Sequence, residues 1–374
     1  MALLLAKRHK IKIMETQAKY FHAFNLINGC GPISFKKLLI YFKSLEKAWL
    51  APLAELKQAD LPGNLADSIE KNRPKINPDK ELEKISKQGI DVVTILDNSY
   101  PKLLKEIYNP PALLYIKGRL QETDEFSLGI VGTRRPSAYG QQVTPLITAD
   151  LAQSGLTIVS GLAKGIDTLA HEAALQAGGR TIAVLGCGLN NIYPASNKEL
   201  AQAISQQGAV LSEFPPDTMP LPQYFPLRNR IVAGLSLGTL VIEAPTRSGA
   251  LITAQQALEQ NREIFAVPGT IFSINSSGTN NLIKLGAKLV NHANDILEEL
   301  NLNLITDSQP NQQIKPDNQT EALILEHLSY EPLHVDKIII QTKLLPSAIN
   351  STLSLMEVKG KVKNLGNNSY VLGR

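Results

Sequence analysis

The residues of this chain whose types and spacing suggest chemistry are basic, and they lie close to glycines. Between positions 119 and 300 there are twelve lysines and arginines, and half of them fall in short segments that also contain glycine or proline. These six are Arg134, Arg135, Lys164, Arg228, Arg230 and Arg247. Guanidinium and ammonium groups bind phosphate, and glycine lets backbone N–H groups approach an anion closely. The pattern therefore predicts a site for a phosphate-bearing ligand.

Some of these arginines could brace loops instead of binding a ligand. Asp167, Glu213 and Glu243 lie in the same region and are available as partners. We expect this structural role for one or two of the six, chiefly Arg230 or Arg247, and a ligand-binding role for the others.

Catalysis and bound cofactors have less support. The segment 186–188 lacks the third glycine of a dinucleotide-binding fingerprint, and no loop of the G-x-x-x-x-G-K-[ST] type is present. The six histidines are scattered, with none in H-E-x-x-H, so we expect no metal and no cofactor. Ser160 and Ser248 have no histidine placed by sequence to act as a base. Glu243 is the best acid or base if the chain is an enzyme, and the alternative is that it braces Arg228 or a loop N–H.

Four neighbouring residues have competing interpretations. Asp167 precedes a stretch of helical composition and is expected to be its N-cap. His171 follows one turn later, and we expect it to pack or to make a polar contact. Phe225 and Tyr224 precede Arg228 and could either stack on a nucleic-acid base or pack in the core.

The segments between about 126 and 292 alternate in type. Short apolar runs predict strands at 126–131, 156–159, 181–185, 209–212, 240–242 and 263–267. Stretches of helical composition separate several of them, at 141–153, 167–176, 198–206 and 253–261. Continuous apolar strands alternating with helices are typical of a parallel sheet covered on both faces. The fold class is therefore α/β, with a Rossmann-like, doubly wound, mostly parallel sheet.

In such a sheet, ligands bind outside the carboxyl ends of the strands. The loops at those ends add six residues to the predicted site, namely Gly132, Thr133, Ser160, Gly161, Gly165 and Asn229. Residues 119–300 hold 12 basic and 15 acidic residues. Placing half of the basic residues at one edge predicts a positive cleft on a region of net negative charge.

Smaller regions flank the predicted sheet. Short helices predict a helical domain over 15–89, and a proline-punctuated connection over 90–118 opens the Rossmann-like domain of 90–300. A polar linker over 301–318 leads to three helices and a hairpin over 319–374, the pattern of a winged helix. The third helix has no lysine or arginine from 346 to 356, which favours protein contact or a vestigial module over base reading.

Composition excludes several classes of protein. The chain has 374 residues, 43% of them hydrophobic, a net charge of +4 and two cysteines. It has no apolar run of the roughly 20 residues that span a bilayer, and no cysteine pattern of a disulfide framework. We expect a cytoplasmic protein with no membrane contact.

The N-terminal part of the chain is more basic than the rest, and its first residues are interpreted separately. Residues 1–118 carry 19 basic and 12 acidic residues, which indicates either a polyanion partner or a lysine-rich surface. We expect residues 1–14 to be a disordered extension and Met14 to be the natural start.

Five motifs then occur in order along the chain. They are 129–134 (GIVGTR), 160–167 (SGLAKGID), 225–231 (FPLRNRI), 248–253 (SGALIT) and 267–269 (VPG). Together they resemble the DNA-processing protein A family (DprA, also called Smf) over about residues 100–295. The resemblance implies a SAM-like helical domain before the sheet and a winged-helix-like domain after it.

The resemblance also implies a function, which is not enzymatic. Family members bind incoming single-stranded DNA during natural transformation, protect it and help to load the RecA recombinase, and they commonly form homodimers through the Rossmann-like domain. The implied DNA pocket consists of Gly132, Arg134, Ser160, Gly161, Lys164, Arg228 and Arg230. A nucleotide phosphoribohydrolase of related fold is the alternative, because 243–249 holds the place of that enzyme's glycine-rich loop, although it lacks the double glycine.

Overall fold

A computed structural model describes residues 17–302, 316–328, 333–342, 344–359, 361–364 and 368–372. The chain divides into two compact units, one up to Thr306 and one from Asp307 onward. The expected extension over 1–14 and most of the expected linker lie outside the described residues.

The first unit is built on one sheet. Its strands are β1 (Asp91–Thr94), β2 (Leu113–Gly118), β3 (Ser127–Val131), β4 (Thr157–Ser160), β5 (Thr181–Val184), β6 (Ala209–Ser212), β7 (Gly238–Val241), β8 (Glu263–Ala266) and β9 (Lys288–Leu289). Their order is β1-β2-β6-β5-β4-β3-β7-β8-β9. All pairs from β6 to β9 are parallel, whereas β2 pairs antiparallel with both β1 and β6. The predicted mostly parallel sheet is confirmed.

Helices lie on both faces of this sheet, with further helices at the N-terminus. They are α1 (residues 17–25), α2 (Pro32–Phe42), α3 (Leu45–Leu50), α4 (Leu53–Gln58), α5 (Leu65–Asn72), α6 (Pro78–Ser86), α7 (Lys102–Lys105), α8 (Ala138–Gln153), α9 (Ile166–Gln176), α10 (Lys198–Gln207), α11 (Tyr224–Leu235), α12 (Gly249–Glu259), α13 (Ser277–Lys284) and α14 (Ala293–Glu299).

The doubly wound arrangement follows from the alternation of side chains along the central strand. Ile130 of β3 belongs to a buried cluster with Ile147 of α8. Its neighbour Val131 belongs to a second cluster with Ile231 of α11. Because successive residues of a strand point to opposite faces, one apolar run supplies both cores.

The segment 90–118 differs from the expected connection. It contains β1 and β2, which extend the sheet by an antiparallel hairpin beyond β6. The apolar run Leu113–Ile116 is fully buried, a strand signal that the surrounding prolines obscured.

The N-terminal helices share a core with this hairpin. Phe21, Phe24 and Trp49 belong to the same buried cluster as Tyr115 of β2. The Tyr115 hydroxyl lies 2.7 Å from Nδ1 of His22 and accepts a hydrogen bond from the Asn25 amide. The helices and the sheet therefore pack as one unit.

The second unit contains α15 (Gln319–Leu325), β10 (Leu333–His334), α16 (Val335–Thr342), α17 (Pro346–Val358), β11 (Val362–Asn364) and β12 (Ser369–Leu372). The strands form a sheet of order β10-β12-β11. The buried core of this second unit includes helix residues Ile324, Ile338, Ile349 and Leu353. Three helices and a hairpin agree with the predicted winged helix, and the short strand β10 is an addition.

Candidate nucleic-acid interface

The candidate site lies where the strand order reverses. β3 pairs with β4 on one side and with β7 on the other. The chain therefore continues from β3 to β4, β5 and β6 on one side of the sheet and later adds β7 and β8 on the other side of β3. The loop after β3 (residues 132–137, the β3 loop) and the loop after β7 (residues 242–248, the β7 loop) face each other across this point. A cleft of about 450 Å³ opens there, in the place where open α/β sheets bind ligands.

Seven of the residues predicted from sequence line this cleft. They are Gly132, Thr133, Arg134, Gly161, Arg228, Asn229 and Arg247. The lining also contains residues that were not predicted as ligand contacts, among them Tyr193, Pro222 and Ser248. Tyr193 lies in the loop that follows β5, five residues beyond the segment 186–188, which was considered only as a dinucleotide-binding fingerprint.

An aromatic side chain and a cation share one wall of the cleft. The Arg134 guanidinium lies 5.8 Å from the centroid of the Phe225 ring, and the Tyr193 ring lies 5.5 Å from the same ring. A guanidinium on a ring face is an arrangement that can also receive a nucleic-acid base. Tyr224 packs instead on Phe214, at 4.4 Å between ring centroids, so of the two predicted stacking residues Phe225 is the one that lines the cleft.

Four of the predicted cations are exposed around the cleft. Arg134 and Arg247 line it, and Arg135 and Lys164 lie on the adjoining loops without lining it. None of the four forms an ion pair with a carboxylate in the described part of the chain. Their positive charge is therefore available to an anionic ligand.

Arg228 has a different position from the one that the sequence suggested. It lies inside helix α11, not in a loop, and it is 4% exposed. Its guanidinium donates to the carbonyl oxygens of Gly161 and Val184. Burial lowers the pKa of Arg228 to about 10, and the Asp167 carboxylate opposes that shift. Arg228 is thus the floor of the cleft and holds two strand ends together.

Glycines allow the loops to meet above this floor. A Cβ at Gly161 would lie 2.4 Å from the Arg228 guanidinium. Gly165, with φ of +84°, precedes α9, and a Cβ there would lie 2.4 Å from the Thr133 carbonyl oxygen. Thr133 also donates its N–H to Glu243 O at 2.7 Å and accepts from Arg135 N at 3.2 Å. Gly165 therefore supports the cleft without lining it.

Two further residues are corrected from ligand contacts to structural roles. The Ser160 hydroxyl is fully buried and donates to Ile130 O at 2.6 Å. Arg230 forms an ion pair with Glu213 at 2.6 Å and donates to Asn109 O at 3.1 Å. Arg230 therefore braces this region as expected, and Arg228 does so as well, whereas Arg247 forms no ion pair with the described carboxylates.

Glu243 also has a bracing role. It is 1% exposed and accepts hydrogen bonds from the Ser137 N–H at 2.9 Å and the Ser137 hydroxyl at 2.5 Å. This is the loop N–H contact that the sequence offered as an alternative to catalysis. Asn229 has a comparable function, since it accepts from Arg228 Nε at 3.1 Å and donates to Gly249 O at 3.3 Å.

Asp167 is not the N-cap of its helix. Gly165 occupies that position, and Asp167 lies in the first turn of α9. Its buried carboxylate accepts from the Ala163 N–H at 3.3 Å. Burial raises the pKa of Asp167, and Arg228 and two loop N–H groups oppose the shift. The cleft floor therefore holds a buried carboxyl group as well as the buried guanidinium of Arg228.

His171 makes the polar contact expected of it, with Nδ1 2.7 Å from the Thr181 hydroxyl. No group of three or more histidine, cysteine, aspartate or glutamate side chains in the described residues could hold a metal ion. Among those residues there is also no helix long and apolar enough to cross a bilayer.

The fold and the site define a Rossmann-like protein with a cationic cleft at its switch point and a separate winged helix. Comparison with known proteins gives the family. Residues 91–301 match the family described as DNA recombination-mediator protein A, and residues 308–368 match the DprA winged helix domain. The chain belongs to the DprA/Smf family.

Relatives cover most of the chain. This chain is 40% identical over 310 residues to the protein Smf of a Synechocystis species, and the alignment covers 82% of this chain and 78% of the relative. The structure of DNA processing protein A from Streptococcus pneumoniae aligns with a TM-score of 0.66 and 39% identity, over 75% of this chain and 96% of that one.

A second solved structure, DNA processing protein A from Helicobacter pylori, was described for its single-stranded DNA binding mode. It aligns with a TM-score of 0.52 and 33% identity, over 57% of this chain and 96% of that one.

Proposed function

We propose that the cleft binds the backbone of single-stranded DNA without sequence preference. The observation that supports this most directly is a set of exposed cations around a cleft whose wall carries the half-buried ring of Phe225. These cations form no ion pair with the carboxylates that the structure describes, and they are Arg134, Arg135, Lys164 and Arg247. Cations that follow a phosphate backbone, with an aromatic ring beside them, are what a sequence-tolerant single-strand site requires.

The proposed role needs no catalytic group. Glu243, the best acid or base in the sequence, is engaged with Ser137 beneath the β3 loop and does not line the cleft. Its position supports binding over the alternative of a nucleotide phosphoribohydrolase. Release of free base from AMP by the purified protein, lost in Glu243→Gln, would favour that alternative.

We further propose that the bound strand is passed to the RecA recombinase in the cytoplasm during natural transformation, and that the protein acts as a homodimer through the Rossmann-like domain. Two clefts joined in one dimer would raise the apparent affinity for a strand that reaches both. Sedimentation at graded concentrations tests the dimer, and RecA-dependent strand exchange with coated DNA tests the delivery.

The test of the cleft is fluorescence anisotropy with a labelled oligonucleotide, single-stranded against double-stranded, over a salt series. Wild type should prefer the single strand, with a salt slope of roughly −2 to −3 for three or four phosphate contacts at about −0.7 each. Arg134→Glu and Lys164→Glu should each weaken binding strongly and make the slope shallower.

The matched control is Arg119→Glu. Arg119 is an exposed arginine that follows β2, at the opposite edge of the parallel strands, and it forms no ion pair with the described carboxylates. Unchanged affinity in both cleft variants, or an equal loss in Arg119→Glu, would contradict the proposed site.

A further inference from the structure

An apolar tip projects beside the cleft. The loop between β8 and α13 (residues 269–276, the rim loop) exposes Ile271 by 85%, Phe272 by 90% and Ile274 by 78%. Three large apolar side chains exposed within four residues are unusual on a protein surface, and such groups mark interaction sites.

The base of the rim loop is fixed. Gly269 donates its N–H to the Asn280 side chain at 3.2 Å and accepts from the same side chain at 3.0 Å. A Cβ at Gly269 would lie 2.1 Å from the Ser276 hydroxyl, so the two ends of the loop meet closely. A turn bond from Ser273 N to Thr270 O, at 3.0 Å, shapes the tip. The apolar side chains are therefore held out by an ordered framework.

The rim loop is attached to both loops of the cleft. The Asn275 side chain donates to Arg135 O at 3.1 Å, and Asn275 O accepts from Ala244 N at 2.7 Å. Phe272 is three residues from Asn275, which is about 10 Å of extended chain at most. The apolar tip thus lies within about 10 Å of Asn275, which is bonded to the backbone of Arg135, the exposed cation just outside the cleft.

We propose that the rim loop extends the single-strand site, and that Phe272 stacks on a base of the strand after it has passed Arg135. This inference rests on the proposed function. The occupant must offer negative charge to Arg135 and a flat apolar surface to Phe272, and a single DNA strand offers both at each nucleotide. An apolar protein surface would cover Arg135 without a counter-charge, which is costly.

The test uses labelled oligo(dT) of two lengths on the full chain, about 6 and about 20 nucleotides, in the range of known single-strand site sizes. Phe272→Ala should weaken binding of the long strand about fivefold to tenfold and leave the short strand unchanged. Phe272→Trp should keep the wild-type affinity, and its fluorescence should be quenched by the long strand only. The single natural tryptophan, Trp49, is buried.

The control is Phe126→Ala, a partly exposed phenylalanine just before β3, at the amino edge of the strands. Affinity of Phe272→Ala for the long strand within twofold of wild type would overturn the proposal. A loss of self-association in sedimentation, with DNA affinity unchanged, would also overturn it and identify a second copy as the occupant. Failure of the wild type to bind either strand would instead reject the proposed function.

Discussion

The guanidinium of Arg228 occupies the space that a side chain at residue 161 would need, since a Cβ at Gly161 would lie 2.4 Å from Nη2. The same guanidinium donates to the Gly161 carbonyl. One glycine and one buried arginine therefore join the end of β4 to helix α11 under the cleft.

Gly161→Ala should displace Arg228 and destabilise the protein by about 2 kcal/mol, because overpacking costs about 1–3 kcal/mol. Urea unfolding measures this loss. The double variant with Arg228→Ala should lose less than the sum of the single variants, since the clash is then absent. Strict additivity would show that the two residues do not interact.

Arg230 should matter for stability and little for DNA binding. Its ion pair with Glu213 is about nine-tenths buried on both sides, and removal of one partner leaves a mostly buried charge unpaired. Arg230→Met should therefore reduce the free energy of unfolding by about 2–4 kcal/mol and leave the salt slope of oligonucleotide binding unchanged. A shallower slope would place Arg230 in contact with phosphate.

Two buried histidines should make the protein less stable in acid. Burial lowers the pKa of His22 to about 4 and the pKa of His171 to about 3, with Lys84 and Arg228 respectively adding to the shift. The unfolded chain gains a proton near pH 6.5 and the folded chain does not. Stability is therefore full above pH 6.5 and falls as the pH decreases towards 4.

At about 1.4 kcal/mol for each pKa unit, His22 accounts for up to about 3 kcal/mol of this loss. Unfolding of His22→Gln between pH 7 and pH 4 should show a flatter profile than wild type. His327→Gln is the control, since His327 is exposed. Parallel profiles for wild type and His22→Gln would show that His22 is not responsible.

The winged helix should contribute less to DNA affinity than the cleft. Its third helix, α17, has no basic residue, and the unit that contains it is compact by itself. Deletion of residues 315–374 should therefore weaken single-strand binding less than Arg134→Glu does, as measured by anisotropy. If the truncation abolishes binding, the winged helix is the principal DNA contact.

The rim loop illustrates what sequence reasoning overlooked. Its run Ile271–Phe272 follows strand β8 and has the composition of a core segment, so periodicity gives no sign that these side chains face solvent. The exposure follows from the Asn280 contacts with Gly269, which depend on a helix further along the chain.

The sequence by itself determined the class of sheet, and it assigned the proposed site to the carboxyl edge of the strands. Apolar runs such as 127–131 and 209–212 are typical of buried central strands, and glycines and cations follow several of them. The helical position of Arg228 also had a signal in the sequence, because Arg228 has helical spacing to the apolar residues Ile231, Val232 and Leu235 of the same buried face. The proline at 226 obscured that signal.

Only the tertiary structure decided which arginines form ion pairs within the protein and which remain exposed at the cleft. Arg134 and Arg230 are the same residue type in similar surroundings along the chain, and they differ in what lies across the sheet edge from them. Glu213 lies opposite Arg230 and neutralises it, whereas Arg134 faces the Phe225 ring and remains exposed. A side chain's charge is fixed by its type, but its availability to a ligand depends on partners distant in sequence, which pair with it only after the strands have assembled.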